Sequence, residues 1–359
     1  MTDTVTIRAA GDGIWVIAPE GAPTVLDGAA GIDVTVLEVH GGHLSWSVLA
    51  AEPIPAAVID DLDAAQEWIW AIYGEPVALA IADFGSAAIA LTADPKLPQL
   101  AADVWRLGFA QWAARWWPAS SIDAIATLDE HLLAEEIVTL TEACELLVDD
   151  DGLVTSEEAT AAELPARAED YALAAGPGAN ATQGALVLGQ GTCGWDWRGC
   201  PPGLIDASER AVSWELVRES GATTIRVHVV AAPQLGADVP PHLRPLALIS
   251  TPAGVVTAEL NLEGDTWQAS AHCTAEAVLA VDIHVPGIGA RAATGLGGAG
   301  IQQGSIGALR ADDIGGANIR QRIRELAAAR LANATSTLSV AFEAPLLSEI
   351  VAAANDSDF

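Results

Sequence analysis

Four side chains in the second half of the chain are of types that bind metal ions or act in catalysis. Cys193 and Cys200 bracket the sequence GWDWRG, which contains Asp196, and His272 follows much later. Zinc-binding cysteines usually come in pairs about two to four residues apart, because both thiolates must reach one ion from a tight turn. These two cysteines are further apart, which favours a loop with two small thiols. The alternative is an enzyme or zinc-dependent protein with its site at these four residues.

Other spacings point to specific chemistry more weakly. Gly295, Gly297 and Gly300 match the GxGxxG pattern of dinucleotide sites, but that pattern needs a strand before it and a helix after it. More glycines follow here, which predicts a loop. His40 and His43 flank two glycines, so we expect them on either side of a hairpin turn, without further metal ligands. Because the GxSxG, HExxH, SxxK and P-loop patterns are also missing from the sequence, we predict no catalytic residue, cofactor or metal ion.

The strongest pattern in the chain is a run of large aromatic residues before Pro118. They recur at the spacing of one face of an α-helix: Trp105, Phe109, Trp112 and Trp116. Pro118 ends the pattern, since proline cannot continue a helix. An aromatic face of this kind is covered either by the protein's own core or by a binding partner, and the sequence leaves both interpretations open.

Two further sets of residues are candidates for binding. Trp195 and Trp197 could stack on the ring of a sugar or of another small ligand. Arg320, Arg322 and Arg324 lie on a predicted helix, where they could bind an acidic partner or pair with the protein's own carboxylates. We therefore predict a non-enzymatic interaction or adaptor protein whose partner is another protein. The alternatives are the site at Cys193 described above and a glycan- or small-ligand-binding module.

The elements that position these residues begin with an α+β domain at 1–148. Two hairpin patterns come first, and an amphipathic helix pattern starts after Pro55. Two strands are predicted in the sequences PVALAIADF and SAAIALT, followed by the aromatic helix. A last helix is predicted after a capping-box pattern at Thr127 and Glu130.

The remainder of the chain is predicted to be mainly β-structure. The stretch 149–168 is acidic and poor in large apolar residues, which predicts a solvated linker. Residues 169–359 contain six strand patterns at regular spacing, which predict an antiparallel β-sandwich. Within them, the stretch 250–271 resembles the middle strands of immunoglobulin-like or prealbumin-like modules, and the resemblance implies such a fold. A glycine-rich loop, the arginine-bearing helix, a strand-like TLSVAFEA and a polar tail complete the prediction.

The charge of the chain limits the kinds of partner it can bind. Sixteen basic residues stand against 48 acidic ones, for a net charge of −32. Such a charge repels the phosphates of nucleic acids and anionic membrane surfaces, so we predict neither as a partner. The amino end lacks the pattern of a secretory signal, and we find no apolar stretch of about 20 residues. Four cysteines are too few for a disulfide scaffold, and we therefore expect a cytoplasmic protein.

Overall fold

The computed structural model has mixed α-helices and antiparallel sheets, so the α+β class is confirmed. It describes residues 4–28, 31–50, 53–83, 87–148, 185–288, 305–334 and 344–356. The predicted linker at 149–168, the GxGxxG glycines and most of TLSVAFEA lie outside the described residues. No helix in the described ranges combines the length and the apolar character needed to cross a bilayer.

A six-stranded antiparallel sheet forms the centre of the amino half, which we define as residues 4–148. Its strands are β1 (Thr4–Gly11), β2 (Ile14–Pro19), β3 (Val34–Val39), β4 (Gly42–Ser47), β5 (Ala56–Ile59) and β6 (Ile89–Thr92). Their order is β3-β4-β5-β2-β1-β6. Both predicted hairpins are present, and His40 and His43 flank the second turn as expected. Gly41 has φ +73°, and a Cβ there would lie 2.2 Å from the backbone oxygen of Asp61, so this turn requires glycine.

The amino half also contains four helices: α1 (Leu62–Tyr73), α2 (Glu75–Ala82), α3 (Pro98–Trp116) and α4 (Glu130–Ala143). The strand predicted in PVALAIADF is wrong, because this apolar run forms α2, with Pro76 in its first turn, where proline is tolerated. The helix expected after Pro55 begins only at Leu62, since the preceding residues are β5. Asp129 rather than Thr127 caps α4, and its side chain accepts the Leu132 N–H.

The aromatic helix α3 packs directly on the first sheet. Gly108 lies against the ring of Trp46, where an added Cβ would come within 2.4 Å of the indole. The hydroxyl of Thr35 on β3 donates to the carbonyl of Gly108 at 2.9 Å, and the Trp112 indole donates to the carbonyl of Ile32 at 2.8 Å. The rings of α3 are therefore anchored to the sheet by hydrogen bonds as well as by burial.

The carboxy half, residues 185–288, contains two antiparallel sheets. Its strands are β7 (Leu186–Cys193), β8 (Val212–Glu219), β9 (Ala222–Val230), β10 (Leu246–Thr251), β11 (Gly254–Glu259), β12 (Asn261–Glu263), β13 (Thr266–Cys273) and β14 (Ala280–His284). One sheet has the order β12-β13-β9-β8-β7 and the other the order β11-β10-β14. The sequence analysis predicts the strand regions of this half except β7, whose glycines hide its alternation.

Two helices follow, α5 (Ser305–Asn333) and α6 (Leu347–Asp356). Helix α5 includes the predicted arginine-bearing helix but begins earlier. Most of α6 lies between the strand-like TLSVAFEA and the polar tail, where the sequence analysis predicts no element. It contacts α4 and α5, so the end of the chain returns to the amino half.

A candidate binding cleft between the two halves

A fully buried carboxylate joins the two halves. Asp206 belongs to the carboxy half and has no exposed surface. It accepts hydrogen bonds from the hydroxyls of Ser120 and Ser121 at 2.7 and 3.0 Å and from the Ser121 N–H at 2.7 Å. Its own segment adds the Ser208 N–H at 2.9 Å. Because a carboxylate is a strong acceptor, these bonds fix the 120–121 segment of the amino half against the carboxy half.

Helix α5 adds a second link between the halves through buried arginines. Arg320 donates to both oxygens of Glu209, at 2.6 and 3.0 Å. Arg324 donates to Glu209 at 3.2 Å and lies 3.4 Å from a carboxylate oxygen of Asp123, which belongs to the amino half. Arg324 also donates to the Ala207 carbonyl at 3.2 Å. These two arginines are therefore engaged with the protein's own carboxylates, whereas Arg322 on the same helix is exposed.

Helix α6 is held by a buried charge pair with α5 and by a hydrogen bond to the amino half. Arg330 on α5 donates to both oxygens of the buried Glu349 and lies over the ring of Phe109, 4.1 Å from its centroid. Glu136 on α4 accepts from Arg106 and from the backbone N–H at the start of α6, both at 2.7 Å. Burial raises the pKa of Glu136 and outweighs the opposite effect of these two bonds.

A cleft of about 680 Å³ lies next to this junction, and both halves contribute residues to its lining. The end of α3 and the start of α4 form one wall, which includes the half-buried rings of Trp116 and Trp117. The other wall comes from the loops that follow β7 and β9, and it contains four prolines: Pro201, Pro202, Pro233 and Pro240. Volume, aromatic lining and position between two halves are all typical of ligand sites.

Charged residues of the cleft are mostly acidic. Its lining includes three exposed carboxylates, which are Asp129, Glu130 and Asp238. The lining contains one arginine, Arg115. The Arg115 guanidinium already lies over the Trp116 ring, 5.0 Å from its centroid. A second crevice, of about 410 Å³, lies beside Arg324, and three of its charged residues already join the halves: Asp123, Glu209 and Arg324.

Trp195 and Trp197 lie in the cleft lining but are about 95% buried. The Trp195 indole donates to the backbone carbonyl of Asp206 at 2.8 Å. The Trp197 indole nitrogen is buried without a hydrogen-bond acceptor. The two rings thus contribute to the floor of the cleft, and the ring surface open to a ligand comes mainly from Trp116 and Trp117.

The aromatic face of α3 lies in the core for three of its four rings. Trp105, Phe109 and Trp112 are buried, with Trp105 and Phe109 stacked at 5.4 Å. They offer little surface to a partner, because they are buried inside the protein, and the Phe109 ring also lies under Arg330 of α5. Trp116 differs, since it lies at the end of the helix and reaches the cleft.

The candidate metal ligands Cys193, Asp196, Cys200 and His272 are not brought together. Asp196 pairs with Arg198, and the His272 ring lies 3.2 Å from the Thr224 hydroxyl. Among the residues that the structure describes, no group of three or more His, Cys, Asp or Glu side chains could hold a metal ion. Burial raises the pKa of the Cys200 thiol to about 12, which disfavours the thiolate that both zinc and nucleophilic catalysis require.

The sequence analysis missed the carboxylates that build the junction, because each is paired with residues far away in the chain. No local sequence pattern marks these carboxylates, which are Asp206, Glu209 and Asp123. The four prolines of the cleft wall could have been noticed as a group, since two of them precede β8 and the other two lie between β9 and β10. Neither a protein-family model nor a curated protein nor a solved structure matches this chain.

Proposed function

We propose that this chain is a non-enzymatic interaction protein and that the cleft between its halves is the binding site. The observation that carries the proposal is the cleft itself, with two half-buried tryptophans on one wall and four prolines on the other. Aromatic rings and prolines lose little conformational freedom on binding, so surfaces made of them bind at low entropic cost. The hydrogen bonds of Asp206 and Arg324 hold the two walls at a fixed distance, which reduces that cost further.

The chemistry of the described side chains also favours binding over catalysis. The hydroxyls of Ser120 and Ser121 both donate to the buried Asp206, so both take part in the junction between the halves. Burial raises the pKa of both Cys144 and Cys200 to about 12, so neither thiol is activated at neutral pH.

Further parts of the proposal concern architecture and setting. We propose that β7–β14 form an immunoglobulin-like or prealbumin-like sandwich, and that 1–148 and 169–359 are separate domains joined by an acidic linker. The partner is another protein, and nucleic acid is not bound, since the net charge of −32 opposes it. The four free thiols are consistent with a reducing compartment, and we propose the cytoplasm.

Site-specific photo-crosslinking in the native cells tests this proposal. A photoreactive amino acid replaces Gln234, which is exposed at the cleft, and in a control protein it replaces Val255, which is 60% exposed on β11. We expect a defined protein to be crosslinked from position 234 and not from 255. The crosslink should weaken in Trp116→Ala but persist in Trp70→Ala, because Trp70 is an exposed tryptophan outside the cleft.

Two results would overturn the proposal. One is a crosslinking pattern that is the same from positions 234 and 255, which would show that the cleft is not a selective site. The other is turnover of a defined substrate by the purified protein that is lost on changing one polar residue.

A glycan- or small-ligand-binding module is the second candidate function. The half-buried rings of Trp116 and Trp117 favour it, since sugars stack on such rings. A small ligand would protect position 234 from crosslinking to any protein, and isothermal titration with a glycan panel would then give a signal that Trp116→Ala abolishes.

A further inference from the structure

We infer that the cleft binds an extended, basic, proline-rich peptide segment. This inference rests on the proposed function and names the chemistry of its partner. Two features of the cleft lead to it: its charge and the nature of its walls.

The charge of the cleft favours a positively charged ligand. Three exposed carboxylates line the cleft: Asp129, Glu130 and Asp238. The lining contains one arginine, Arg115. The net charge of −32 adds a long-range field of the same sign. Negative clefts with low-dielectric walls concentrate cations and accelerate their binding. A lysine or arginine of the bound segment is therefore favoured, and an acidic segment is repelled.

The walls of the cleft favour a polyproline II conformation over a β-strand. A segment that binds as an added strand needs a row of free backbone N–H and C=O groups. Proline has no N–H, so a wall with Pro201, Pro202, Pro233 and Pro240 presents few such donors. A polyproline II segment has no internal hydrogen bonds, is already extended, and docks its rings on aromatic surfaces. Trp116 and Trp117 provide such surfaces on the opposite wall.

A panel of fluorescein-labelled twelve-residue peptides tests the inference by fluorescence anisotropy. One peptide is proline-rich with four arginines, the second has glutamates in place of the arginines, and the third keeps the arginines but has alanine in place of every proline. We expect the first peptide to bind, and the second and third to bind at least about tenfold more weakly. Binding of the first peptide should also weaken with added salt, because the attraction is between exposed charges.

Two variants locate the binding site on the protein. Glu130→Gln combined with Asp238→Asn should weaken the basic peptide about fivefold to tenfold, since each removes one exposed carboxylate. Glu67→Gln is the matched control, because Glu67 is an exposed carboxylate on α1 outside the cleft, and it should leave the affinity unchanged. All of these positions are exposed, so equal melting temperatures will show that folding is intact.

The outcomes separate this inference from the proposed function. If the acidic or the alanine peptide binds as tightly as the basic proline-rich one, the stated ligand chemistry is wrong, although the cleft remains a binding site. If none of the peptides binds while crosslinking from position 234 still captures a protein, the inference fails and the proposed function stands. If crosslinking at position 234 also fails, both are overturned.

Discussion

Replacement of Asp206 is the most direct test of how the halves are joined. Asp206→Ala removes the acceptor for the hydroxyls of Ser120 and Ser121 and for the N–H groups of Ser121 and Ser208. The two hydroxyls can rotate towards other acceptors, but the two backbone N–H groups cannot. We therefore expect the amino and carboxy halves to lose their closest polar link.

The magnitude follows from what remains unsatisfied. Each stranded backbone donor costs about 1–3 kcal/mol, and the lost bonds were charge-assisted, so we expect Asp206→Ala to lower the free energy of unfolding by about 3–5 kcal/mol. Asp206→Asn keeps one oxygen in place and strands about one of these N–H groups. Asp206→Asn should therefore lower the free energy of unfolding by less, about 1–3 kcal/mol.

Guanidinium denaturation followed by tryptophan fluorescence measures these losses. The control is Asp196→Ala in the same segment, where the carboxylate is half exposed and pairs with Arg198. A surface pair of this kind contributes at most about 1 kcal/mol. If Asp206→Ala and Asp196→Ala are equally stable, the buried carboxylate does not hold the halves together and the reasoning is refuted.

Three further predictions concern buried polar groups. Trp195→Phe should lower the free energy of unfolding by about 1 kcal/mol more than Trp197→Phe does, because only the Trp195 indole donates a hydrogen bond that the substitution removes. Arg330→Met should lower the free energy of unfolding by about 3–5 kcal/mol, because it leaves the fully buried Glu349 without its cation. Burial raises the pKa of Glu136, so the folded state holds this proton more tightly than the unfolded chain. Relative to Glu136→Gln, the wild type should therefore lose stability as the pH rises from 4.5 through the higher pKa of the folded state.

Denaturation curves test each of these, with a defined contrary result. Equal stability of the two tryptophan variants would contradict the first. Arg322→Met is the control for the second, since Arg322 is exposed, and equal losses at 322 and 330 would contradict it. A stability difference between the wild type and Glu136→Gln that stays constant or grows with pH would contradict the third.

Local patterns predict the elements of this fold well where one face of an element is buried. The aromatic run predicts a helix that ends before Pro118, and α3 ends at Trp116, because its rings repeat with the period of a helix. Helix α2 was mistaken for a strand because its run is apolar on every side, and Leu79 is 58% exposed although Val77 is fully buried. Periodicity cannot separate a strand from a helix in such a run.

The candidate site was only partly predictable. The sequence singles out Trp116 and Trp197, both of which reach the cleft, but it groups Trp116 with rings that are in the core. Which ring is at the surface depends on where the helix ends relative to the sheet. The periodicity of the sequence does not give that position. The links through Asp206 and Glu209 were not predictable, since they join residues 85 to 115 positions apart.

The polar contacts of the junction help to explain why a cleft can stay open between the halves, although apolar residues of both halves also belong to one buried cluster. An apolar interface gains stability with every atom it buries, so two halves joined that way close until no gap remains. A junction held by Asp206 and Arg324 instead has fixed bond lengths and directions, and its stability does not increase if neighbouring surfaces approach. The surfaces of Trp116 and Trp117 beside it can then stay open to water at little cost to the fold. The same buried charges that hold the halves together therefore keep the proposed binding surface accessible.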